Sequence, residues 1–404
     1  MTDPFALLPL AIAAGAGRVD SLETQQLVAA GFTLLQRSAT LARALSGRRS
    51  AILLPTSPAF ITALAASDGR GALLLDPRAA PAEIAHQLAD ATVGAVFTTH
   101  ALAARLPDAT VRVLLDDAPR SARVLAGGAP ADVDLGSHHG LPLEGDATIE
   151  GRDEEAAVVY TAAITGRAAG AILTHRNLLV NARAAIHATG LSANDHLLAV
   201  LSWSQLFGLV VTGIAPLLAG ARVTTEPRFH PARLVERLER DDITHFAGVP
   251  SMFAALLGVL RRRGAGLRAP ALRVCVCGGA PLDVELQDRW FESTGIELRQ
   301  GYGLTEAGPG CLFNRADQTN RRGTLGVALP GVDVAIHDPF TGLALPAGTE
   351  GEICVRGLNV FRGYVRGVGA GLAMRDGWLH TGDLGVMDDD GVVSRSSQPA
   401  RSRR

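Results

Sequence analysis

Short apolar runs alternate with amphipathic helical patterns along most of this chain, and this alternation constrains the fold more than any other feature. In the first part, the runs 51–54 and 93–98 flank a helical pattern at 81–91. In the second part, apolar runs such as 197–201 and 243–248 repeat the rhythm. Such spacing is typical of strand-helix-strand units around a mainly parallel sheet. The sequence therefore predicts an α/β fold with two linked strand-helix subdomains.

After about residue 320 the pattern changes to strands separated by Gly and Pro turns, as in "GVDVAIHDPFTGLALPAGTEGEICVRG". Turn residues between apolar runs favour hairpins, so we expect a small β-barrel-like lobe here. Residues 118–155 are rich in Ala, Gly, Pro and Asp and are interpreted as an irregular surface connection. The predicted division is a first α/β subdomain at 1–155, a second at 156–320, a β-rich lobe at 321–393 and a disordered tail at 394–404.

Charge and hydropathy exclude several classes of partner. The formal net charge is -2 and no long basic stripe appears, so neither nucleic acid nor an anionic membrane surface is expected as a partner. The longest apolar stretch, 206–220, is interrupted by Pro216 and is shorter than the roughly 20 residues of a membrane span. The four cysteines lack the spacing of a zinc site or a disulfide scaffold, which favours a cytoplasmic protein. Cys275 and Cys277 are expected to pack in a buried strand.

Four motifs combine glycine, hydroxyl, aromatic and carboxylate residues that suit a nucleotide ligand. They are "VVYTAAITGRAAGAILTHRNLL" at 158–179, "CVCGGAPL" at 275–282, "QGYGLTE" at 300–306 and "WLHTGD" at 378–383. A flat ring suits a base, a hydroxyl suits a phosphate, and a carboxylate oxygen is a hard ligand for a hard cation. Read singly, the Gly-Gly pair is a strand-to-helix turn and the last Asp is a turn residue.

In this order and at this separation, the motifs resemble those of adenylate-forming acyl- and aryl-CoA synthetases, across residues 21–391. The resemblance implies that Tyr302 stacks on adenine, Gly303 forms the floor of the acyl tunnel, and Asp383 binds both ribose hydroxyls. It assigns catalytic roles to Thr305, at the phosphate, and Glu306, as the Mg²⁺ ligand. The remaining residues that it implies for cofactor binding are Thr161, Thr165, Gly166, Gly278, Gly279 and Ala280.

The first motif, at 158–179, corresponds to the phosphate loop of the family, and it departs from the family pattern at its centre. Hydroxyl residues, a glycine, a proline and a lysine of the family are replaced at five positions: Ala162, Ala163, Ile164, Ala168 and Ala169. Losing one preorganised donor typically lowers the rate by about 100- to 1000-fold, so ATP-dependent activation of a carboxylate is expected to be impaired. The alternative is that this segment is only a β-turn that precedes a helix.

The resemblance places the gate of the acyl pocket in the segment "LSWSQLFGL" at 201–209. Gln205 stands where the family has a His or an aromatic residue, which implies an altered carboxylate or a non-carboxylate ligand. Trp203 and Phe207 are candidate walls of the substrate pocket, and core packing explains them equally well. Gly303 is the fourth residue assigned to this pocket.

The resemblance covers the large domain, and the mobile C-terminal domain of the family is expected to be absent. We therefore expect a protein that binds an acyl-adenylate or a carboxylic acid with ATP or AMP and Mg²⁺, with CoA or a carrier-protein thiol as acceptor. Expected protein partners are a separate chain that supplies the missing domain and a second copy in a homodimer. The alternative is a repurposed or inactive homologue that binds a carboxylic acid, a thioester or a partner protein in a biosynthetic pathway. A shifted reading frame at the basic tail is a third explanation of the C-terminus.

Overall fold

The computed structural model describes residues 7–67, 71–108, 110–136, 154–161, 168–367 and 374–396. The helices in these ranges are α1 (Leu8–Gly15), α2 (Thr24–Arg37), α3 (Ala39–Leu45), α4 (Pro58–Ala65), α5 (Pro81–Asp90), α6 (His100–Ala103), α7 (His175–Thr189), α8 (Leu206–Leu209), α9 (Ala215–Leu218), α10 (Pro231–Arg240), α11 (Pro250–Arg263) and α12 (Val284–Thr294). A π-helical segment, Val210–Ile214, joins α8 to α9.

The strands of the first half are β1 (Arg18–Val19), β2 (Leu22–Glu23), β3 (Arg49–Leu53), β4 (Ala72–Leu74), β5 (Val93–Thr98), β6 (Val111–Leu115), β7 (Ser121–Leu125), β8 (Ala131–Asp134), β9 (Glu155–Thr161) and β10 (Ala169–Thr174). Those of the second half are β11 (His196–Ala199), β12 (Arg222–Thr225), β13 (His245–Gly248), β14 (Val274–Cys277), β15 (Leu298–Gly303), β16 (Gly310–Phe313), β17 (Val327–Ala328), β18 (Val332–His337), β19 (Glu350–Gly357), β20 (Gly363–Tyr364), β21 (Met374–Arg375), β22 (Trp378–Met387) and β23 (Val393–Arg395).

Two large mixed sheets form the α/β part of the molecule, which confirms the predicted fold class. One has the strand order β17-β16-β15-β14-β13-β11-β12-β1-β2, and the pairs from β15 to β1 are parallel. The other has the order β20-β10-β9-β4-β3-β5-β6-β7-β8, with parallel pairs from β9 to β6. Parallel strands need crossover connections, and the amphipathic helices predicted between the apolar runs supply them.

A smaller antiparallel sheet forms the half-barrel lobe that was predicted from the Gly and Pro turns. Its strand order is β18-β19-β22-β21, and β23 pairs with β22. The turn between β22 and β23 is closed by Asp388, whose carboxylate accepts hydrogen bonds from the backbone N–H groups of Asp390 and Val392. This is the hairpin that the Asp-Asp-Asp-Gly sequence predicts.

Three details differ from the sequence predictions. The segment 118–155 is not wholly irregular, because β7 and β8 form an antiparallel hairpin at the edge of a sheet. β9 pairs with β4 of the first half of the chain and β10 pairs with β9 and β20, so the division between the sheets does not fall at residue 155, although the subdomain boundaries themselves stay a prediction. Ser394 and Arg395, assigned to a disordered tail, belong to β23; residues 397–404 lie outside the described ranges.

The prediction for the two neighbouring cysteines is confirmed. Cys275 and Cys277 are fully buried on one face of β14 and pack against the aromatic and aliphatic side chains of α11 and α12. Burial raises the pKa of the Cys277 thiol to about 12, so it stays protonated at neutral pH. A protonated, enclosed thiol is a poor nucleophile, which fits a packing role. Across the described ranges, no helix combines the length and the apolar character that a membrane crossing requires.

Candidate functional site

A cavity of about 290 Å³ opens where the parallel strands of one large sheet end. The loops that follow β11, β14 and β15 meet at this edge, as expected for the carboxyl ends of parallel strands in an open α/β sheet. The lining residues include Ala185, Gln205, Phe207, Val211, Val276, Gly278, Gly279, Tyr302, Gly303, Thr305, Leu312, Phe313 and Leu329. The cavity thus brings together most of the residues that the second and third motifs predict.

Two asparagines of α7 hold two loops, one that follows β15 and one that follows β19. Asn181 donates to the carbonyl of Gly310 at 2.8 Å and accepts from its N–H at 3.2 Å. Asn177, one helical turn earlier, donates to the carbonyls of Leu358 and Val360. Residues four apart lie on the same face of a helix, so both amides point to the same side. The sequence analysis missed these residues, although the Asn-x-x-x-Asn spacing beside the phosphate-loop motif was a usable signal.

Tyr302 and Asp383 connect the cavity to the half-barrel lobe. The Tyr302 hydroxyl donates to Oδ2 of Asp383 at 2.8 Å. Burial raises the pKa of Tyr302 well above its usual value, and the neighbouring Asp383 charge raises it further. Tyr302 therefore stays protonated and remains a donor. The other carboxylate oxygen, Oδ1, accepts from Nη2 of Arg395 at 3.1 Å, a contact that was not predicted from the sequence.

Glu306, the predicted Mg²⁺ ligand, directly follows the lining residue Thr305 but does not itself line the cavity. Its side chain is buried, and Oε1 accepts a hydrogen bond of 2.7 Å from the Tyr364 hydroxyl. Tyr364 packs edge-on against Phe361 with a ring separation of 4.8 Å. Thr305 lines the cavity, whereas Glu306 is directed to Tyr364 on the opposite side of the same short helical turn. The Glu306 carboxylate is thus held by a tyrosine hydroxyl, and its role as a Mg²⁺ ligand stays a prediction.

The glycines of the site serve two purposes. Gly279 has φ of 78°, a left-handed conformation that other residues rarely adopt, and it turns the chain sharply after β14. Gly303 lines the cavity, yet a Cβ there would lie 1.8 Å from the Pro309 carbonyl oxygen, so close approach of backbone already requires glycine. Gly278 is buried and faces the ring of Phe207. Ala280 is exposed and does not line the cavity.

The predicted gate residues fall into two groups. Gln205 and Phe207 line the cavity, and Gln205 also borders a second depression near Asp76 and Tyr160. Trp203 does not line it, so its assignment to the substrate pocket is corrected. Its side chain is fully buried, its ring packs edge-on against Phe60 at 5.8 Å, and its Nε1 donates to Thr212. The core-packing alternative accounts for Trp203.

The phosphate-loop motif begins in β9 and continues in β10, and these two strands pair as an antiparallel hairpin. Thr161 ends β9 and is opposite Ala169, the first residue of β10, in an antiparallel register. Ala169 is buried, and its methyl group stands where the resemblance places a lysine. Thr165 and Gly166, together with residues 162–164, lie outside the described residues. The hairpin continues directly into α7, which begins with a capping box formed by Thr174 and Asn177.

The residues present fit an adenine nucleotide and a small acyl group. Tyr302, Gly278 and Gly279 line one cavity, and the Tyr302 hydroxyl donates to the Asp383 carboxylate. The remaining lining is largely aliphatic and aromatic. Flat rings, bare backbone and a bidentate acceptor are the groups that a nucleoside needs.

The arrangement of two mixed α/β sheets, a half-barrel lobe and a cleft at the strand ends defines the large domain of adenylate-forming enzymes. The AMP-binding enzyme family matches residues 33–365, and the chain belongs to this family. It is 34% identical to a feruloyl-CoA synthase from Amycolatopsis sp over 356 residues, which cover 86% of this chain and 68% of that protein. It is 32% identical to 4-coumarate–CoA ligase 5 from Oryza sativa subsp. japonica, over 85% of this chain and 64% of that protein.

Among solved structures, ATP-bound MatB from Rhodopseudomonas palustris superposes with a TM-score of 0.76 at 28% identity. The match covers 98% of this chain and 76% of MatB. The chain thus spans about two thirds to three quarters of the length of these relatives. The similarity supports an acyl- or aryl-CoA ligase-like protein of the adenylate-forming type.

Proposed function

We propose that this chain binds an adenylate of a small aromatic carboxylic acid, with the nucleotide at Tyr302 and Asp383 and the acyl group in the cavity. The observation that carries the proposal is that one residue joins the two parts: Tyr302 lines the cavity and its hydroxyl donates to Asp383. In this arrangement Asp383 accepts from the ribose hydroxyls, and Thr305 donates to the phosphate. Glu306 offers Oε2 to Mg²⁺ while Tyr364 holds Oε1.

The lining of the cavity favours an aromatic acid with a single carboxylate. Phe207, Phe313 and Leu312 supply flat and aliphatic surface. Among the described residues that line the cavity, none carries a formal charge at neutral pH. A second carboxylate on the ligand would be buried without a counter-charge, which is strongly unfavourable. The volume is at the small end of the roughly 300–1000 Å³ of ligand pockets, so one ring with a short side chain fits. The names of the feruloyl and coumarate relatives agree with this class.

In family members, the carboxylate of the acid attacks the α-phosphorus of MgATP and pyrophosphate leaves; a thiol then displaces AMP. We propose that this chain retains binding better than the first chemical step. Ala169 removes a positive charge that would stabilise the leaving pyrophosphate, and this is expected to lower the rate by about 100-fold or more. A C-terminal domain supplied by a separate chain, and a homodimer, belong to the same proposal.

The test is isothermal titration of the full chain with AMP, MgATP and two non-hydrolysable acyl-sulfamoyl adenylates. One carries a hydroxycinnamoyl group and the other carries a malonyl group. The aryl compound is expected to bind at least about tenfold more tightly than AMP alone, because it also fills the apolar cavity. Phe207→Ala should weaken the aryl compound and leave AMP unchanged. Absence of binding by every nucleotide would exclude the proposal, and tighter binding of the malonyl compound would exclude the aromatic substrate class.

The second candidate is a repurposed or inactive homologue, which the Ala169 methyl group favours. Ala169→Lys restores the missing charge, and Ala169→Met adds similar length without charge. If charge is the limiting defect, pyrophosphate release with MgATP and an aryl acid rises in the Lys variant only, measured with a grafted C-terminal domain from a relative. If neither variant releases pyrophosphate while the unmodified chain still binds the aryl acid, the chain is better described as a repurposed homologue.

A further inference from the structure

Four side chains able to bind a metal lie together on one face of the half-barrel sheet, and none of them lines the cavity. His337 is on β18, Glu352 and Cys354 are on β19, and His380 is on β22. The register pairs His337 with Glu352 and Cys354 with His380. Directly paired residues project to the same face of a sheet, and so do residues two apart. All four side chains are buried, with exposed fractions of 5% or less.

The ligand atoms of three of these residues are close enough to share one ion, and Glu352 lies next to one of the three. One atom each from His337, Cys354 and His380 lie within 4.8 Å of one another. Nδ1 of His380 is 3.4 Å from Sγ of Cys354 and 2.8 Å from Oε2 of Glu352. In a tetrahedral zinc site, bonds of about 2.0–2.3 Å place neighbouring ligand atoms roughly 3–4 Å apart. His337, Cys354 and His380 need only small side-chain shifts to reach that geometry, and Glu352 completes it by turning from His380 towards the ion.

His337 gives a second, independent indication of a ligand. Within the described part of the chain, neither of its ring nitrogens has a hydrogen-bond partner, although the residue is buried. The Gly342 backbone approaches the ring without meeting hydrogen-bond geometry. The edge of the ring packs against Trp378 and against His380 at 5.0 and 5.8 Å. Buried polar atoms are nearly always paired, so an unpaired imidazole beside a thiol and a second imidazole points to a bound ion.

Arg375 is the charge that competes with such an ion. Its Nη2 is 3.1 Å from Nδ1 of His380, and the same guanidinium is 3.7 Å from Oε2 of Glu352. A single ring nitrogen cannot accept from Arg375 and donate to Glu352 at once, so these contacts satisfy one partner only. The backbone N–H of Gly382 donates to Oε1 of Glu352 at 2.9 Å and fixes the carboxylate. An ion between the imidazole, the thiolate and the carboxylate would satisfy all three and displace the guanidinium.

We propose that His337, Cys354 and His380, with Glu352 as the fourth ligand, form a structural site for a zinc-type divalent cation. Thiolate and imidazole ligands select Zn²⁺ over Mg²⁺, which prefers oxygen, so this site differs from the one at Glu306. Binding displaces the thiol proton of Cys354 to solvent and forms a sulfur–metal bond. The ion would join β18, β19 and β22, and it would do so whether or not the cavity binds a nucleotide.

The experiment titrates the full chain, purified in the presence of chelator, with Co²⁺ and then with Zn²⁺. One equivalent of Co²⁺ should produce a thiolate-to-cobalt charge-transfer band, and Zn²⁺ should remove it and raise the thermal unfolding midpoint. Cys354→Ala should abolish the band. His337→Phe, which keeps a ring of similar shape, should weaken Co²⁺ binding by at least about 100-fold. Circular dichroism of each variant checks that the fold is kept.

Cys311→Ala is the matched control, because it also removes a fully buried thiol but lies outside the cluster; it should leave the band unchanged. Arg375→Gln removes the competing charge and should tighten Co²⁺ binding. A band that persists in Cys354→Ala would exclude the site. Absence of the band in both the unmodified chain and Arg375→Gln would show that the cluster is a hydrogen-bonded network without a metal.

Discussion

The guanidinium of Arg395 lies 3.1 Å from Oδ1 of Asp383, on the carboxylate that also accepts from Tyr302. The two residues are on neighbouring strands, β22 and β23, and Ser396 continues the pairing by donating its N–H to the Leu384 carbonyl. Arg395 thus occupies one oxygen of the group proposed to bind ribose. A nucleotide that uses both oxygens must displace this contact.

Arg395→Ala should therefore tighten AMP binding by about two- to fivefold. The side chains of this ion pair are 45% and 35% exposed, and exposed pairs contribute only about 0.2–1 kcal/mol. Arg356→Ala is the control, because it removes a similar exposed pair, with Asp333, from the same sheet. Isothermal titration with AMP measures both variants. Equal affinities of Arg395→Ala and the unmodified chain would show that Arg395 does not compete with the ligand.

Tyr364→Phe should destabilise the protein by about 1–3 kcal/mol. The variant leaves the buried Glu306 carboxylate without the hydroxyl that donates to Oε1, and an unsatisfied buried acceptor carries this penalty. Tyr160→Phe is the matched control, since the Tyr160 hydroxyl also donates to a carboxylate, that of Asp90, but both residues reach solvent. Urea unfolding compares the two free energies of unfolding. If Tyr160→Phe lowered the free energy of unfolding as much as Tyr364→Phe does, burial of the carboxylate would not be the cause of the loss.

Gly303→Ala should destabilise the fold by about 1–3 kcal/mol or more, because the new methyl group would overlap the Pro309 carbonyl oxygen. Gly258→Ala is the control. Gly258 lies inside α11, where an added Cβ has its nearest neighbour at 3.7 Å, so alanine should stabilise by a few tenths to about 1 kcal/mol. Thermal and urea unfolding measure both. A folded Gly303→Ala protein with unchanged stability and a blocked cavity would instead support the tunnel-floor role.

Residues that are close in sequence were predictable from the motifs. The apolar run before Gly278 and Gly279 indicated a strand that ends in a turn, and β14 ends at Cys277. The turn at 388–391 indicated a hairpin, and β22 and β23 form it. In both places the local backbone preference of glycine and aspartate agrees with the tertiary structure, so the pattern is sufficient.

Contacts that depend on strand order and register were not predictable. β9 pairs in parallel with β4, and β10 pairs in antiparallel fashion with β20. Both pairings join segments that are far apart in the sequence, so tertiary packing sets them. The spacing of Cys354 gave no indication of a metal ligand, since His337 and His380 reach it only through the pairing of three strands. Trp203 was ambiguous for a related reason: an aromatic residue in a loop has the same pattern whether it faces a cavity or the core.

The last prediction concerns pH and the buried imidazole of His245. Burial lowers its pKa to about 4, the Asp195 charge raises it, and the Arg273 charge lowers it. Burial also opposes ionisation of Asp195, but hydrogen bonds from Ser192 and Arg273 outweigh it and lower the pKa of that carboxyl. His245 is therefore neutral in the folded protein at pH values where the unfolded chain, with a pKa of about 6.5, is already protonated.

Because the unfolded state binds more protons between these two pKa values, the stability is fully present above about pH 6.5 and decreases as the pH falls towards 4. Between about pH 7.5 and 5.0 the His245 contribution to the free energy of unfolding should fall by about 2 kcal/mol. His245→Asn keeps a polar group next to Thr244 and should remove this part of the pH dependence. His86→Gln, an exposed position on α5, should leave it unchanged. Urea unfolding at the two pH values decides: the same acid loss in His245→Asn as in the unmodified chain would assign the effect to other groups.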